Sequence, residues 1–498
     1  MNVNPITRLD YPDPDVIRVE DTYYMVSTTM HFMPGCEILQ SFDLVHWEHV
    51  TYVYETLDHT DAQQLKSGQN IYGQGMWAAS LRYHEGRFWI CFVANDTRKT
   101  YLYTSEKIDG PWKKQLIEGF YHDGSLLFDE DGRNYIVYGN DEIWITELNE
   151  DLTAPKKDGL HRLLVSDHKN PELGYEGSHI QKINGYYYIF LVHSLRDRWM
   201  RTEACFYSDS LEGEFTGGDV LCDDRGYCGQ GVAQGGIVDT PDGKWYAMLF
   251  QDSGAVGRIP ILLPVTWKDH FPFFGQNGHV PEEIEVHSTR PGYIYQPLVG
   301  SDDFCNGLLP RWQFNHDPDP RYYHLDALQG TYTITTREVC TELTQAVNTL
   351  TQRMSYPSCA AEVTVDASAL KEGDVAGLCA LQGCYAAVGI TKHHGKYEVL
   401  MLDKKEDGIL DMTEGTVVES HQMDFRLEAD FCNMKDEARC YYRVNKGDWL
   451  PIGTVHKLYF KLDHFTGCRF GLFCYAAEET GGSACFRDFK YYDVDEIS

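Results

Sequence analysis

The sequence predicts an all-β protein: a five-bladed β-propeller over residues 1–297, then a β-sandwich of jelly-roll-like form over residues 298–498. Three observations carry this. Short runs of aromatic and β-branched residues recur along the chain, whereas apolar residues at helical spacing are scarce. In the first half, two-residue hairpin turns return at intervals of about 45 to 65 residues, which is the period of a propeller blade. The rhythm stops after Arg290-Pro291-Gly292, so a second unit of different build follows.

The turns are Glu20-Asp21 before Tyr23-Tyr24, Glu85-Gly86 before Phe88-Trp89, Asp131-Gly132 before Asn134-Tyr135, Asn184-Gly185 before Tyr186-Tyr187, and Asp242-Gly243 before Trp245-Tyr246. Such pairs supply the positive φ angles that tight hairpins demand. Counting back nine residues from the turn glycine reaches Trp77, Asp123, Glu176 and Gln234, and eight back from Asp21 reaches Asp13. The innermost strand of each blade faces the central channel, so equivalent positions converge. One repeated position thereby brings three carboxylates, Asp13, Asp123 and Glu176, to one pocket. A lone acid beside a turn is a solvated surface residue. Three acids at one structural position, each ahead of an apolar strand, predict a shared site. Asp15, off that position, is read as structural.

Beyond Ser301-Asp302-Asp303-Phe304 the strand candidates are 360–365, 386–390, 397–402, 440–444, 470–475 and 485–492, which suit two packed sheets. His393-His394-Gly395 reads as a hairpin turn and not as a metal site.

Composition narrows the function. A formal net charge of −32 excludes the clustered Lys and Arg that nucleic acid or an anionic membrane would need. The 15 cysteines never form CxxC and have no second pair to match Cys222 and Cys228, so they read as reduced thiols in a cytoplasmic protein. No signal-peptide pattern opens the chain, in keeping with that address. The glycine-rich run 229–236 is not followed by a helix, which argues against phosphate binding. Abundant aromatics, 33 Tyr, 23 Phe and 10 Trp, pack sheets and also offer flat faces to sugars. Hydrolysis of a glycosidic bond calls for one protonated carboxyl and one carboxylate, and a third acid can hold the first in place with its proton retained. A calcium site is the competing use of three such acids, and self-association into a homo-oligomer is left open.

Pro12-Asp13-Pro14 with Arg18, Met76-Trp77-Ala78 before Arg82-Tyr83, His122-Asp123-Gly124-Ser125 and Tyr175-Glu176-Gly177-Ser178-His179 resemble, in order, the signatures of glycoside hydrolase family 43. The part from Asp302-Asp303-Phe304 through Trp312-Gln313-Phe314-Asn315-His316 is similar to the sandwich of its β-xylosidase and α-L-arabinofuranosidase branch. The resemblance implies an inverting, exo-acting enzyme that removes β-D-xylose or α-L-arabinofuranose from oligosaccharides. Asp13 would be its general base, Glu176 its general acid, and Asp123 the residue that orients Glu176. It further implies Trp77 as an apolar wall of the sugar subsite and a sugar contact from Arg258; Gln234 is a further substrate-binding candidate, and His31 and Phe32 are candidates for another pocket wall. Many relatives carry a histidine where this chain has Gln234, so a structural calcium is in doubt and the chemistry requires no cofactor. Two other readings stand beside this one: a retaining propeller enzyme of the sucrose or fructan type, and a carbohydrate-binding protein without catalysis.

Overall fold

The computed structural model describes residues 2–493. Five four-stranded antiparallel sheets surround a common axis. Blade I comprises Asp15–Val19, Thr22–Ser27, Gly35–Ser41 and Glu48–Tyr54. Blade II comprises Met76–His84, Arg87–Ala94, Lys99–Ser105 and Lys113–Ile117, and blade III Ser125–Phe128, Asn134–Asn140, Glu142–Leu148 and His161–Ser166. Blade IV comprises Glu176–Ile183, Tyr186–Ser194, Arg201–Ser208 and Thr216–Leu221, and blade V Val232–Asp239, Trp245–Asp252, Arg258–Lys268 and Phe271–Phe274. Within each blade the strands pair in chain order, and the five first strands touch one another around the axis.

Blades I, II and IV close on two-residue turns, pairing Val19 with Thr22, His84 with Arg87 and Ile183 with Tyr186. Blades III and V do not. There Phe128 pairs with Asn134 and Asp239 with Trp245, across the longer segments 129–133 and 240–244. This corrects the expectation of five equal turns. Within those segments the Asp129 amide still bonds the Arg133 carbonyl and the Thr240 amide the Lys244 carbonyl, which leaves three-residue turns at 130–132 and 241–243, so a count taken from the turn glycine arrives one position late.

The first and last blades are tied by the N-terminal segment. Asn2–Val3 pairs with Glu283–Ile284, the Asn4 side chain bonds both the carbonyl and the amide of Leu262, and the Tyr11 amide donates to the Arg258 carbonyl. Arg18 of blade I reaches Asp239 of blade V at 2.5 Å. On the axis itself the Arg82 guanidinium joins four blades, donating to Asp15 at 2.8 Å, to Ser125 Oγ at 2.7 Å, and to the carbonyls of Leu126 and Ile180. Asp15, fully buried, also accepts the Leu81 amide and faces His179 Nδ1 at 3.2 Å.

After Ile284 the chain crosses the outer part of blade I, where Tyr293 and Tyr295 pack on Phe42, and enters the second unit at Asp302. That unit is a nine-stranded sheet over a seven-stranded one, with Trp312, Tyr332, Leu378, Phe425, Phe470 and Phe486 in the core between them. All six strand candidates of the second half fall within its strands, and His394-Gly395 forms the turn between Ala386–His393 and Lys396–Lys404.

The two units are built into one another. Phe32–Met33, from the propeller, is the edge strand of the nine-stranded sheet and pairs with Gln313–Asn315. Ala255, Val256 and Ile259 of blade V lie in the sandwich core. Across the same boundary, buried Glu37 meets Arg353 at 2.8 Å.

Candidate active site

Four chain segments deliver the acids and their partners to one end of the axis. Each inner strand begins with a bulge. The first residue of the bulge is Pro12, Trp77, His122, Glu176 and Ala233 in blades I to V, as the partners Thr28, Val93, Gly139, Val192 and Phe250 on the neighbouring strands show. The residue at the bend is Asp13, Asp123, Gly177 and Gln234 in blades I, III, IV and V, with φ of 52°, 48°, 65° and 65°. The five residues found by counting therefore occupy two adjacent positions and not one. Asp13, Asp123 and Gln234 lie at the second of these positions, whereas Trp77 and Glu176 lie at the first. For Asp123 and Gln234 the offset is the residue gained in the turns of blades III and V; for Asp13 it is the count of eight in place of nine.

The offset has a chemical consequence. Because Asp123 sits one step further along than Glu176, its carboxylate accepts the amide of Gly177, directly after Glu176, at 3.0 Å. His122 takes the corresponding earlier place in blade III, and its Nε2 lies 3.5 Å from Asp123 and 3.6 Å from Glu176. Asn140 donates to the same oxygen of Glu176 at 2.7 Å. Asp13 is buried, with one oxygen taking the Thr28 hydroxyl at 2.6 Å and the other Arg258 at 3.0 Å.

Burial raises the Asp123 carboxyl to about 6, and the charges of Glu176 and Asp13 add to it while His122 opposes. The same charges, Asp123 foremost, raise the His122 imidazole to about 9 against its own burial. His122 is thus a cation at neutral pH, set between two carboxyl groups. Sequence reasoning missed this histidine, although His122-Asp123 stood in the motif; the counting scheme had no place for a residue one step before an acid.

Trp77 and Arg258 join the group, as the resemblance implied. The Trp77 ring is 6.1 Å from that of His122 and 5.5 Å from that of Phe465. Arg258 lies with its guanidinium carbon 4.2 Å from the Phe465 ring centre. Phe465 comes from the sandwich, some 450 residues along the chain from Asp13, and no local pattern marks it. The indole N–H of Trp77 and the Arg258 Nε are buried without hydrogen-bond partners among the described residues. Gln234 packs its side chain over Gly177, where any Cβ would stand 2.7 Å from the glutamine Cγ.

His31 and Phe32 are not a pocket wall. His31 is fully buried between the two units, its ring packed against Phe32, Tyr72, His316 and His464. Phe32 lies under Arg469, 3.5 Å from the guanidinium carbon to the ring centre, and its backbone belongs to the sandwich sheet. Their edge strand is absorbed by the neighbouring unit, an outcome that depends on a partner strand nearly 300 residues away.

On the axis the buried carboxylate of Asp15 is paired with Arg82 and His179, and Gln234 packs over Gly177 at the acid cluster.

Comparison with known proteins bears on the whole chain. Residues 3–272 match the family model of glycosyl hydrolases family 43, and residues 301–492 that of the β-xylosidase C-terminal concanavalin A-like domain. A β-xylosidase of Formosa agariphila is 27% identical over 99% of this chain and 89% of its own length. A non-reducing-end α-L-arabinofuranosidase of Bacteroides ovatus is 25% identical over 66% of this chain and 63% of its own. The structure of a bifunctional GH43-CE protein of Bacteroides eggerthii superposes with a TM-score of 0.92 at 42% identity, covering 99% of this chain, which spans 63% of that one. With over half of its length matched by the catalytic-family model, and its acids gathered at one mouth of the propeller, the chain belongs to glycosyl hydrolase family 43.

Proposed function

We propose that this protein is an exo-acting, inverting glycosidase that releases terminal β-D-xylose or α-L-arabinofuranose from xylan- or arabinoxylan-derived oligosaccharides. The observation that carries the reading is the convergence of Asp13, Asp123 and Glu176 at one end of the axis, with Trp77, Arg258 and Phe465 around them. The activities printed for the relatives, β-xylosidase and arabinofuranosidase, support the choice of sugar.

Glu176 acts as the general acid that protonates the leaving oxygen, and Asp13 as the general base that activates water. Thr28 and Arg258 fix both oxygens of Asp13 and so aim it. Asp123 holds the backbone beneath Glu176 and so positions the acid. Arg258 and the Trp77 indole N–H are placed to meet sugar hydroxyls. No step passes through a metal.

Nitrophenyl β-D-xyloside and α-L-arabinofuranoside test the reading directly. Asp13→Asn and Glu176→Gln are each expected to lower kcat by about 10²- to 10⁴-fold. Proton NMR of the first-formed sugar should show inverted configuration. Undiminished turnover in both variants would overturn the assignment.

A further inference from the structure

A second set of buried polar groups stands beside the acids. In an antiparallel blade the inner strand begins, the second strand ends and the third begins at the same end. Arg201, which opens the third strand of blade IV, and Asp252, which closes the second strand of blade V, therefore stand at the end that carries Glu176. Asp252 is the ladder partner of Arg258, which puts the two side chains on one face of the sheet. Arg201 and Arg258 both approach the ring of Phe250, at 5.3 and 5.4 Å from guanidinium carbon to ring centre.

These groups are incompletely satisfied. Arg201 reaches Asp252 only at 3.4 Å, and its Nε and Nη1, like Asp252 Oδ1, are buried with no hydrogen-bond partner among the described residues. Glu203, two residues on and on the same side of the strand, gives one oxygen to the Gln234 amide at 2.7 Å and leaves Oε1 unpartnered. Trp199, in the loop leading into Arg201, is 44% exposed and has the Arg201 guanidinium carbon 5.2 Å from its ring centre.

Free N–H groups beside a free carboxylate oxygen ask for a ligand that donates and accepts at once. An anion would meet Asp252, and a cation would meet Arg201. Neighbouring sugar hydroxyls satisfy both, and an exposed indole offers a flat apolar face to sugar C–H groups. Given the glycosidase reading, on which this step rests, Glu176 must touch the leaving oxygen, and the sugar attached to that oxygen has to lie beyond it. Blade IV supplies both Glu176 and Arg201. We infer that Trp199, Arg201 and Asp252 form a subsite for the second sugar of an oligosaccharide, the residue that departs.

The test compares kcat/KM for a pentose trisaccharide with kcat/KM for the matching nitrophenyl pentoside in full-length wild type, Trp199→Ala and Arg201→Met. The trisaccharide-to-aryl ratio is expected to fall about tenfold in each variant, the scale of one lost stacking or polar contact. Because each ratio comes from one preparation, any misfolded fraction cancels. Calorimetric binding of the trisaccharide to Glu176→Gln, alone and combined with Trp199→Ala, supplies a second measure, with affinity expected to weaken by a similar factor. A ratio within twofold of wild type in both variants, or an unchanged affinity, overturns the subsite. Wild type that cleaves neither nitrophenyl pentoside would instead sink the glycosidase reading.

Discussion

His122 is the cation set against the buried Asp123 carboxyl. Its protonated ring opposes the rise of Asp123, which burial and the charges of Glu176 and Asp13 drive up to about 6. Replacing His122 by Asn removes that opposition, so the Asp123 carboxyl rises further. If Asp123 serves as a carboxylate, activity is lost on acidification at a higher pH, and the acid limb of the kcat/KM profile moves upward. A shift of about one half to one pH unit is the expected scale for one neighbouring charge, and an acid limb that stays in place would show that Asp123 works in its neutral form. His122 was legible only as a letter in a motif. Its position between two carboxyl groups follows from bulges in two different blades, which no count along one strand reveals.

The bulges and turns explain both what was legible in the blades and what was not. Turn residues carry φ preferences of their own, so Glu85-Gly86 and Asn184-Gly185 announced hairpins without help from the fold. The extra residue in segments 129–133 and 240–244 is invisible to that reading, because Asp131-Gly132 and Asp242-Gly243 look the same in a longer loop. Asp15 was read as structural, and Arg82 shows why: it is an axial staple bound to four blades, with Asp15 as its counter-ion. Burial alone would raise the Asp15 carboxyl, but Arg82 and His179 hold it below the usual carboxylate range. A depressed folded-state value contributes stability above the unfolded-state value, and that contribution is lost as pH falls. Arg82→Met takes the guanidinium from buried Asp15 and leaves it only His179 and the Leu81 amide, which should destabilise the protein by about 3–5 kcal/mol. Urea unfolding at pH 7 measures it, and a loss under about 1 kcal/mol would show that the blades close without the staple.

At the scale of the molecule the propeller is not self-sufficient, although the sequence divided cleanly at the end of the turn rhythm. Rhythm reports what each unit repeats, not what it shares. The sandwich supplies Phe465 to the pocket, covers Ala255, Val256 and Ile259 just ahead of Arg258, and pairs with Phe32–Met33. Its Arg353, with His49 of the propeller, outweighs burial and holds the Glu37 carboxyl down to about 2. A fragment ending at residue 297 would expose that apolar surface, free the edge strand and strand Glu37 without its cation. Its kcat/KM is expected to fall by at least about 10²-fold, since even a small displacement of Arg258 and Asp13 misaligns the reacting groups. Arg353→Met in the full chain isolates the electrostatic part. Glu37 contributes stability above its unfolded value near 4.3, and that contribution fades as pH falls toward 2. The melting temperature of the variant should therefore lie well below wild type at pH 7 and approach it as pH drops toward 3. A gap that stays constant from pH 7 to 3 would mean that Arg353 holds the two units together by packing on Tyr11, 4.0 Å from its guanidinium carbon, and not by charge.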